Sequence, residues 1–296
     1  GKLYWKWEKR IVYPYFDQNN YPKYFIYRLI DDEPDFNPNA KYMKQIKTEY
    51  VQEIPFGLNS IYGSKEKPLI ITEGLTDSIS VAQANYPVLS PITVKIKKEH
   101  VERMINYCKR FETVVVINDN EEFKKNKNGE FENTGLKGSI DTLKVLIKHN
   151  INCFIGIIQN PKKLEKIDLD DYLKPDLTNV NDEDINAAIE KSLDLLEEKL
   201  KKLVQNSTFG LDFLTDTVNE KSSQKELLEI IDVLPKDDFI TQEEVLRKLA
   251  KKRKITFETI KKIYAQHQSK KLLKEQKRER IEIKKEKEKN QKKKML

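Results

Sequence analysis

Seven acidic residues in the middle of the chain stand where metal-dependent phosphate chemistry would need them. Glu73 closes the apolar run Leu69-Ile-Ile-Thr72 and is followed by Gly74 and Asp77. Asp119 and Glu121 come directly after Thr113-Val-Val-Val-Ile117, and Asp168, Asp170 and Asp171 come after an apolar stretch at 152–158. Each run has the length of a buried strand, and in a parallel sheet the carboxyl ends of the strands share one rim, where α/β sheets bind ligands. Carboxylates gathered there raise one another's pKa unless a counter-charge joins them. Hard oxygen donors on loops select Mg2+ or Mn2+ rather than zinc. Two such ions about 4 Å apart stabilise the attacking and leaving oxygens of phosphoryl transfer. Taken singly, each acid has a plainer reading: Glu73 or Asp77 as a helix cap or dipole partner, Asp170 and Asp171 as a solvated turn. Recurrence on three strand ends favours metal binding.

The elements that must position these acids alternate. Strands are expected near 69–73, 87–90, 113–118 and 152–158, with helices near 77–84, 97–110 and 136–149. Strand, helix, strand at this spacing implies βαβ units and a mostly parallel sheet, and the unbroken apolar run at 113–117 suits its centre. Glu122 to Gly135 is polar and reads as an insertion loop. Before this region, Arg10-Ile-Val-Tyr-Pro-Tyr-Phe16 and Tyr24-Phe-Ile-Tyr-Arg-Leu-Ile30 flank the polar Asp17-Gln-Asn-Asn20, the pattern of a β-hairpin. Pro14 points to an edge. After it, Ile185, Ile189, Leu193, Leu196, Leu200 and Leu203 form an apolar stripe at helical spacing, with Asn181 as the expected N-cap. Further helices are expected near 222–234, 241–252 and 256–267, the second opened by a capping box at Thr241-Gln-Glu-Glu244. The division this gives is 1–66 β-rich, 67–178 α/β, 179–268 helical and 269–296 a basic tail.

Composition sets the outer limits. The chain has 296 residues, 38% apolar and 35% charged, and no apolar run long enough for a membrane span. Two cysteines, Cys108 and Cys153, and three scattered histidines make a structural zinc site improbable and a reducing compartment the better fit. The net charge of +7 is a property of one segment. Residues 270–296 hold 13 Lys/Arg and 5 Glu, a charge of +8, which leaves −1 for the remainder. Such a tail suits a polyanion, a protein partner or plain solvation, as a single helix or a disordered arm. At the other end, Tyr4, Trp5 and Trp7 interleave with basic residues, a pattern for stacking on single strands or, more simply, for a strand packed on the core.

Glu73-Gly-Leu-Thr-Asp77 resembles the Glu-Gly-x-x-Asp motif of Toprim domains, shared by topoisomerases and bacterial-type primases. Asp119-Asn-Glu121 resembles the Asp-x-Asp motif of that fold, with Glu in second place, and Asp168-Leu-Asp-Asp-Tyr-Leu173 the primase Asp-Pro-Asp-Glu-Tyr-Leu segment. Arg10-Ile-Val-Tyr-Pro-Tyr, Ala40-Lys-Tyr-Met43 and Gly57-Leu to Tyr62-Gly resemble the segments that precede the Toprim domain in DnaG-like primases, and Leu211-Asp-Phe-Leu214 with Leu246-Arg-Lys-Leu-Ala250 the helices that follow it. The resemblance covers roughly residues 10–265.

It implies an α/β Toprim domain between a small β-rich subdomain and a helical one, and a nucleotidyltransferase that makes short RNA primers from NTPs on single-stranded DNA. On this reading Glu73, Asp77, Asp119 and Glu121 are catalytic. Glu73, Asp119, Glu121, Asp168, Asp170 and Asp171 bind Mg2+ or Mn2+. Arg10, Arg28, Lys41 and Gly74 contact nucleotide or template. A replicative helicase or other replication protein is the implied partner, the cytoplasm or nucleoid the implied location, and a phage, plasmid or other mobile element the implied source. No zinc-binding module precedes the core, and no P-loop of a helicase motor occurs. The usual Gly-Thr-x-x-Thr loop is replaced by Leu89-Ser-Pro-Ile-Thr93, and the glycine expected after Asp-x-Asp is displaced by the 122–135 insertion, with Gly135 or Gly138 as substitutes. Two other readings stay open: a Toprim nuclease or topoisomerase-like protein, and a non-catalytic nucleic-acid-binding subunit of a replication complex.

Overall fold

The structure, a computed structural model, describes residues 10–30, 42–62, 66–91, 93–125, 129, 131–160, 164–174 and 185–294. Lys41, the aromatic residues Tyr4, Trp5 and Trp7, and the cap expected at Asn181 lie outside the described residues. The chain divides into two compact units, Gly1–Leu211 and Asp212–Leu296.

The first unit opens on an antiparallel sheet of three strands, β1 (Arg10–Phe16), β2 (Pro22–Leu29) and β3 (Tyr42–Lys44), in the order β1-β2-β3. Its turn is built by Asp17, whose Oδ1 accepts from the Asn19 and Tyr21 amides at 2.8 and 3.0 Å, while Asn20 takes a left-handed φ of 61°, a conformation Asn tolerates well. Pro14 sits on the edge strand, where its missing N–H breaks no ladder bond. Tyr15, Tyr24 and Ile26 are buried from this sheet and pack with Leu75.

The central sheet uses β4 (Leu69–Thr72), β5 (Val88–Leu89), β6 (Val114–Ile117), β10 (Cys153–Ile155) and β12 (Thr208–Phe209). Helix α1 (Leu75–Gln83) follows β4, α2 (Val101–Cys108) follows β5, and β7 (Asn120–Glu121), β8 (Lys124–Lys125), β9 (Phe131–Glu132) and α3 (Thr134–Lys148) separate β6 from β10. Strand order is β12-β10-β6-β4-β5, all pairs parallel except β12 with β10. β4 and β6 are buried at every position, as strands covered on both faces must be. After β10 come β11 (Lys166–Ile167), α4 (Leu169–Leu173) and α5 (Ile185–Gln205). Ile70, Val115 and Ile117 meet Val81 of α1, Leu169 and Leu173 of α4, and Leu196, Leu200 and Leu203 of α5 in one core, while α3 packs against β6 and β10.

Several expectations need correction. The apolar stripe of α5 is buried only in its C-terminal half: Leu196, Leu200 and Leu203 are in the core, whereas Ile189 and Leu193 are 45% and 39% exposed. The 122–135 segment is not a plain loop, since β8 and β9 pair antiparallel within it; just before it, β7 pairs antiparallel with β11. Asp168, Asp170 and Asp171 do not close a strand of the central sheet; they follow the two-residue β11, Asp168 as the N-cap of α4 and Asp170 and Asp171 in its first turn.

In the second unit α6 (Gly210–Asp216), which starts at the boundary, is followed by α7 (Gln224–Ile231), α8 (Phe239–Lys252) and α9 (Phe257–Lys294). The capping box belongs to α7, where Ser223 and Glu226 cap reciprocally. α8 starts a turn earlier than expected because Asp238 Oδ1 accepts from the Thr241 amide at 3.0 Å. α9 continues to Lys294 as one helix. Among the described residues no helix is long and apolar enough to cross a membrane.

Candidate active site

Glu73 leaves β4 at its carboxyl end, and the chain turns at once into α1. Asp77, third residue into the helix, reaches back so that its Oδ2 accepts from the Gly74 amide at 3.0 Å. A Cβ on Gly74 would collide with that same oxygen, which is the reason for glycine at a position whose φ of −99° any residue adopts. The other oxygen, Oδ1, accepts from the Asp170 amide at 2.9 Å. Each Asp77 oxygen thus accepts from one main-chain amide, and the side chain ties the N-terminus of α1 to that of α4. Thr72 and Ser78 close the turn with a hydroxyl contact of 2.7 Å.

Asp119 arrives from β6, one strand over. Gly135, in the first turn of α3, packs so closely on the Asp119 carbonyl that a Cβ there would overlap it. Of the two glycines expected as substitutes, Gly135 is the one that approaches the acid, while Gly138 packs on Val94. Asn133 caps α3 through the Leu136 amide at 2.9 Å and donates to the Glu121 carbonyl. The β7–β11 pairing places Lys166 opposite Glu121. From there the Lys166 ammonium lies 2.5 Å from Asp119 Oδ2 and 3.6 Å from Glu121 Oε1. Asp168 caps α4 by accepting from the Asp171 amide at 2.9 Å, and Asp170 Oδ1 accepts from the Ser80 hydroxyl at 2.5 Å.

A cavity of about 430 Å³ collects these groups. Glu73, Gly74, Asp77, Asp119, Lys166 and Asp168 line it, and Tyr42 and Lys44 reach it from β3. Asp168, Asp170 and Asp171 offer carboxylate oxygens all within 4.8 Å of one another, an arrangement able to hold a metal ion. Asp168 thus belongs both to the cavity and to this triad. Glu121 is held at the side by Lys166. Arg10 and Arg28 are not among the cavity's lining residues; Arg28 lies 6.0 Å from the Tyr42 ring centre, in cation–π range.

The electrostatics follow from crowding. Burial, then the Asp119 charge, pushes Glu73 up from 4.5 to about 7. Burial and Asp119 do the same to Asp77, from 3.8 to about 7. Burial raises Asp119 as well, against the pull of Lys166. Burial draws Lys166 down, but its hydrogen bond to Asp119 and the neighbouring acids outweigh that and hold the ammonium above its usual range. One cation does not satisfy the cluster: among the described residues, Glu73 Oε2 and Asp119 Oδ1 are buried without a hydrogen-bond partner. Two bare carboxylate oxygens on neighbouring strand ends fit a hard divalent cation, which completes its shell with water and phosphate oxygens.

Three residues in this site were not picked out by type and spacing. Lys166 stands two positions before Asp168 but has no pattern of its own, because its role depends on the β7–β11 pairing. Lys44 enters through β3. Ser80 is three residues along α1 from Asp77, on the face that meets α4, and only that packing gives it Asp170 as a partner.

No protein-family model matches the sequence, and no curated protein matches it. Solved structures do. The chain is similar to the zinc-binding and RNA polymerase domains of the Aquifex aeolicus primase, with a TM-score of 0.56 at 16% identity over 86% of this chain and 54% of that one. A DNA primase domain from Pseudomonas aeruginosa matches with a TM-score of 0.54 at 12% identity, over 87% of this chain and 72% of that one. A DnaG primase catalytic domain bound to single-stranded DNA matches with a TM-score of 0.52 at 12% identity, over 83% and 69%. The chain spans about half of the Aquifex structure. These likenesses show the fold alone: this chain is folded like the catalytic cores of bacterial DnaG primases, with a mostly parallel α/β region, a β-rich region before it and helices after it.

Proposed function

We propose that this chain is a primase catalytic core, joining NTPs into short RNA on a single-stranded DNA template with Mg2+ or Mn2+. The observation that carries the reading is the convergence of Glu73, Asp77, Asp119 and Asp168 on one cavity, with the buried oxygens Glu73 Oε2 and Asp119 Oδ1 left unpartnered. The DNA-bound primase among the similar structures supports the template half of it.

In this reading Glu73 and Asp119 are the first donors to a cation, and Asp168 carries the site on to Asp170 and Asp171. When bound, the cation supplies charge neutralisation and a Lewis acid for the nucleotide's phosphates. Asp77 keeps the α1 and α4 termini together so that the donors stay aligned. Lys166 holds Asp119 and limits repulsion before the cation enters. Tyr42 and Lys44 form the wall where base and phosphate would lie. Arg10 and Arg28 of the hairpin are assigned to phosphate or template contact outside the cavity, and Lys41 to the same kind of contact. A replicative helicase as partner, and an origin in a phage or other mobile element, belong to the same reading.

The test is synthesis of labelled short RNA from NTPs on single-stranded template with Mg2+ or Mn2+, with Glu73→Gln alongside. Product that disappears in the variant supports the proposal. Cleaved template without synthesis would make the protein a Toprim nuclease, and template binding with neither product would make it a non-catalytic subunit.

A further inference from the structure

The second unit ends in a helix that outruns its own core. The first turns of α9 pack against α7 and α8, with Ile260 fully buried. Tyr264 donates to Gln242 Oε1 at 2.9 Å, and His267 and Lys271 both meet Asp232 Oδ1, at 2.9 and 2.7 Å. From Leu272 on, the described side chains are exposed, and the backbone runs on as helix to Lys294, a projection of about 35 Å at the α-helical rise.

Between Lys270 and Lys285 the charges on this arm are sorted rather than mixed. Glu275, Glu279 and Glu282 stand at i, i+4 and i+7 and share one stripe. Lys270, Lys274, Lys277, Arg278, Lys284 and Lys285 fall within a separate arc of about 120° at 3.6 residues per turn. Over that span the acids stay outside the basic arc. The apolar residues do not form a competing face: Leu272, Leu273, Ile281 and Ile283 are each at least half exposed and spread round about half of the circumference. A coiled-coil partner or a membrane surface would need them in one narrow stripe.

We propose that the basic arc of α9 is a sequence-independent binding surface for a polynucleotide backbone. Lys270 to Lys285 spans about 22 Å along the helix, long enough for the arc to reach about four phosphates of a polynucleotide backbone. Six cations carried on one side of a helical rod, with no apolar stripe beside them, match a polyanion in charge. The arm supplies affinity without sequence choice. The proposal rests on the nucleic-acid reading of the chain, but it invokes neither the acidic cavity nor a divalent cation.

The experiment measures fluorescence anisotropy of labelled oligo(dT), and separately of a labelled duplex, with the full chain in EDTA and without NTPs, across a salt series. A contact with about four phosphates gives a log–log slope of about −3 on the single strand, so affinity falls about fifty-fold between 50 and 200 mM salt. Changing the six basic residues of the arc to Gln, with helix content checked by circular dichroism, should flatten the slope and weaken binding at least tenfold. A chain ending after Lys271 should do the same by an independent route, and changing Glu275, Glu279 and Glu282 to Gln should not weaken binding. Glu73→Gln should leave the slope intact, which separates failure of the arm from failure of the catalytic reading. The proposal is overturned if arc-neutralised and truncated chains bind with the original slope, or if the native chain binds phosphatidylserine vesicles and neither oligonucleotide.

Discussion

Replacing Glu73 by Gln separates a carboxylate kept for function from one kept for stability. Glu73 is pushed from 4.5 to about 7, first by burial and then by Asp119. An acid whose pKa is higher in the folded chain than in the unfolded one loses stability as pH rises through that interval, because the unfolded chain releases its proton first. Between pH 4.5 and 7 the ionisation of Glu73 thus works against the fold, and above pH 7 the whole penalty stands. The displacement corresponds to on the order of 3 kcal/mol; the side chain is only partly buried, so we take about 2 kcal/mol after allowing for solvent screening. Gln keeps the shape and removes the charge. Without divalent cations, Glu73→Gln should therefore stabilise the protein by about 2 kcal/mol at pH 8 and by almost nothing at pH 4. Thermal denaturation across pH reads this directly, with a shift of about 4–8 °C at pH 8 for a unit of this size. Adding Mn2+ should reverse the order: the native chain gains stability as the cation takes the bare oxygens, and the variant gains far less. The cation's effect should fade below pH 7, where protons compete for Glu73 and Asp77. A variant less stable than the native chain at pH 8 without cation, or one that gains equally from Mn2+, would refute the argument.

Other perturbations test the surrounding frame. Gly74→Ala places a methyl on Asp77 Oδ2 and should cost about 1–3 kcal/mol by overpacking, read as a lower urea midpoint with an unchanged slope. Lys166→Ala removes the internal counter-charge from Asp119; because the lysine is half exposed, the stability loss should be only about 1 kcal/mol, while calorimetric Mn2+ affinity rises several-fold. Glu53 sits among Lys44, Lys47 and Lys97 at 2.8, 2.6 and 3.4 Å, and although burial works the other way, the lysines hold it down at about 2 against 4.5. Its contribution is complete above pH 4.5 and is lost as pH falls towards 2, so Glu53→Gln should flatten the acid limb of the stability curve by on the order of 2–3 kcal/mol.

The acids, the strands that end in them and the order of elements were legible in the sequence because strand and helix periods are local properties of the chain. β4, β6 and α1 lie within a few residues of where hydrophobic pattern and turn chemistry put them, and Pro14 marks the edge strand. Tertiary structure decided which partners each acid has. The sequence marks Asp77 as a candidate catalytic acid; the fold adds that its two oxygens accept from the Gly74 and Asp170 amides, the second of them 93 residues away. Asp168, Asp170 and Asp171 reach the rim through a two-residue strand that pairs with β7, a pairing no periodicity announces. That pairing also sets Lys166 against Asp119, so the site's own cation comes from a register. Ile189 and Leu193 belong to a regular apolar stripe and are still exposed, because burial depends on where the partner surface ends. The sequence alone determined which residues could meet a cation, since side-chain chemistry and strand ends are written in order along the chain. Only the folded structure decided which carboxylate oxygens stay bare for one, since every competing donor is brought in from another element.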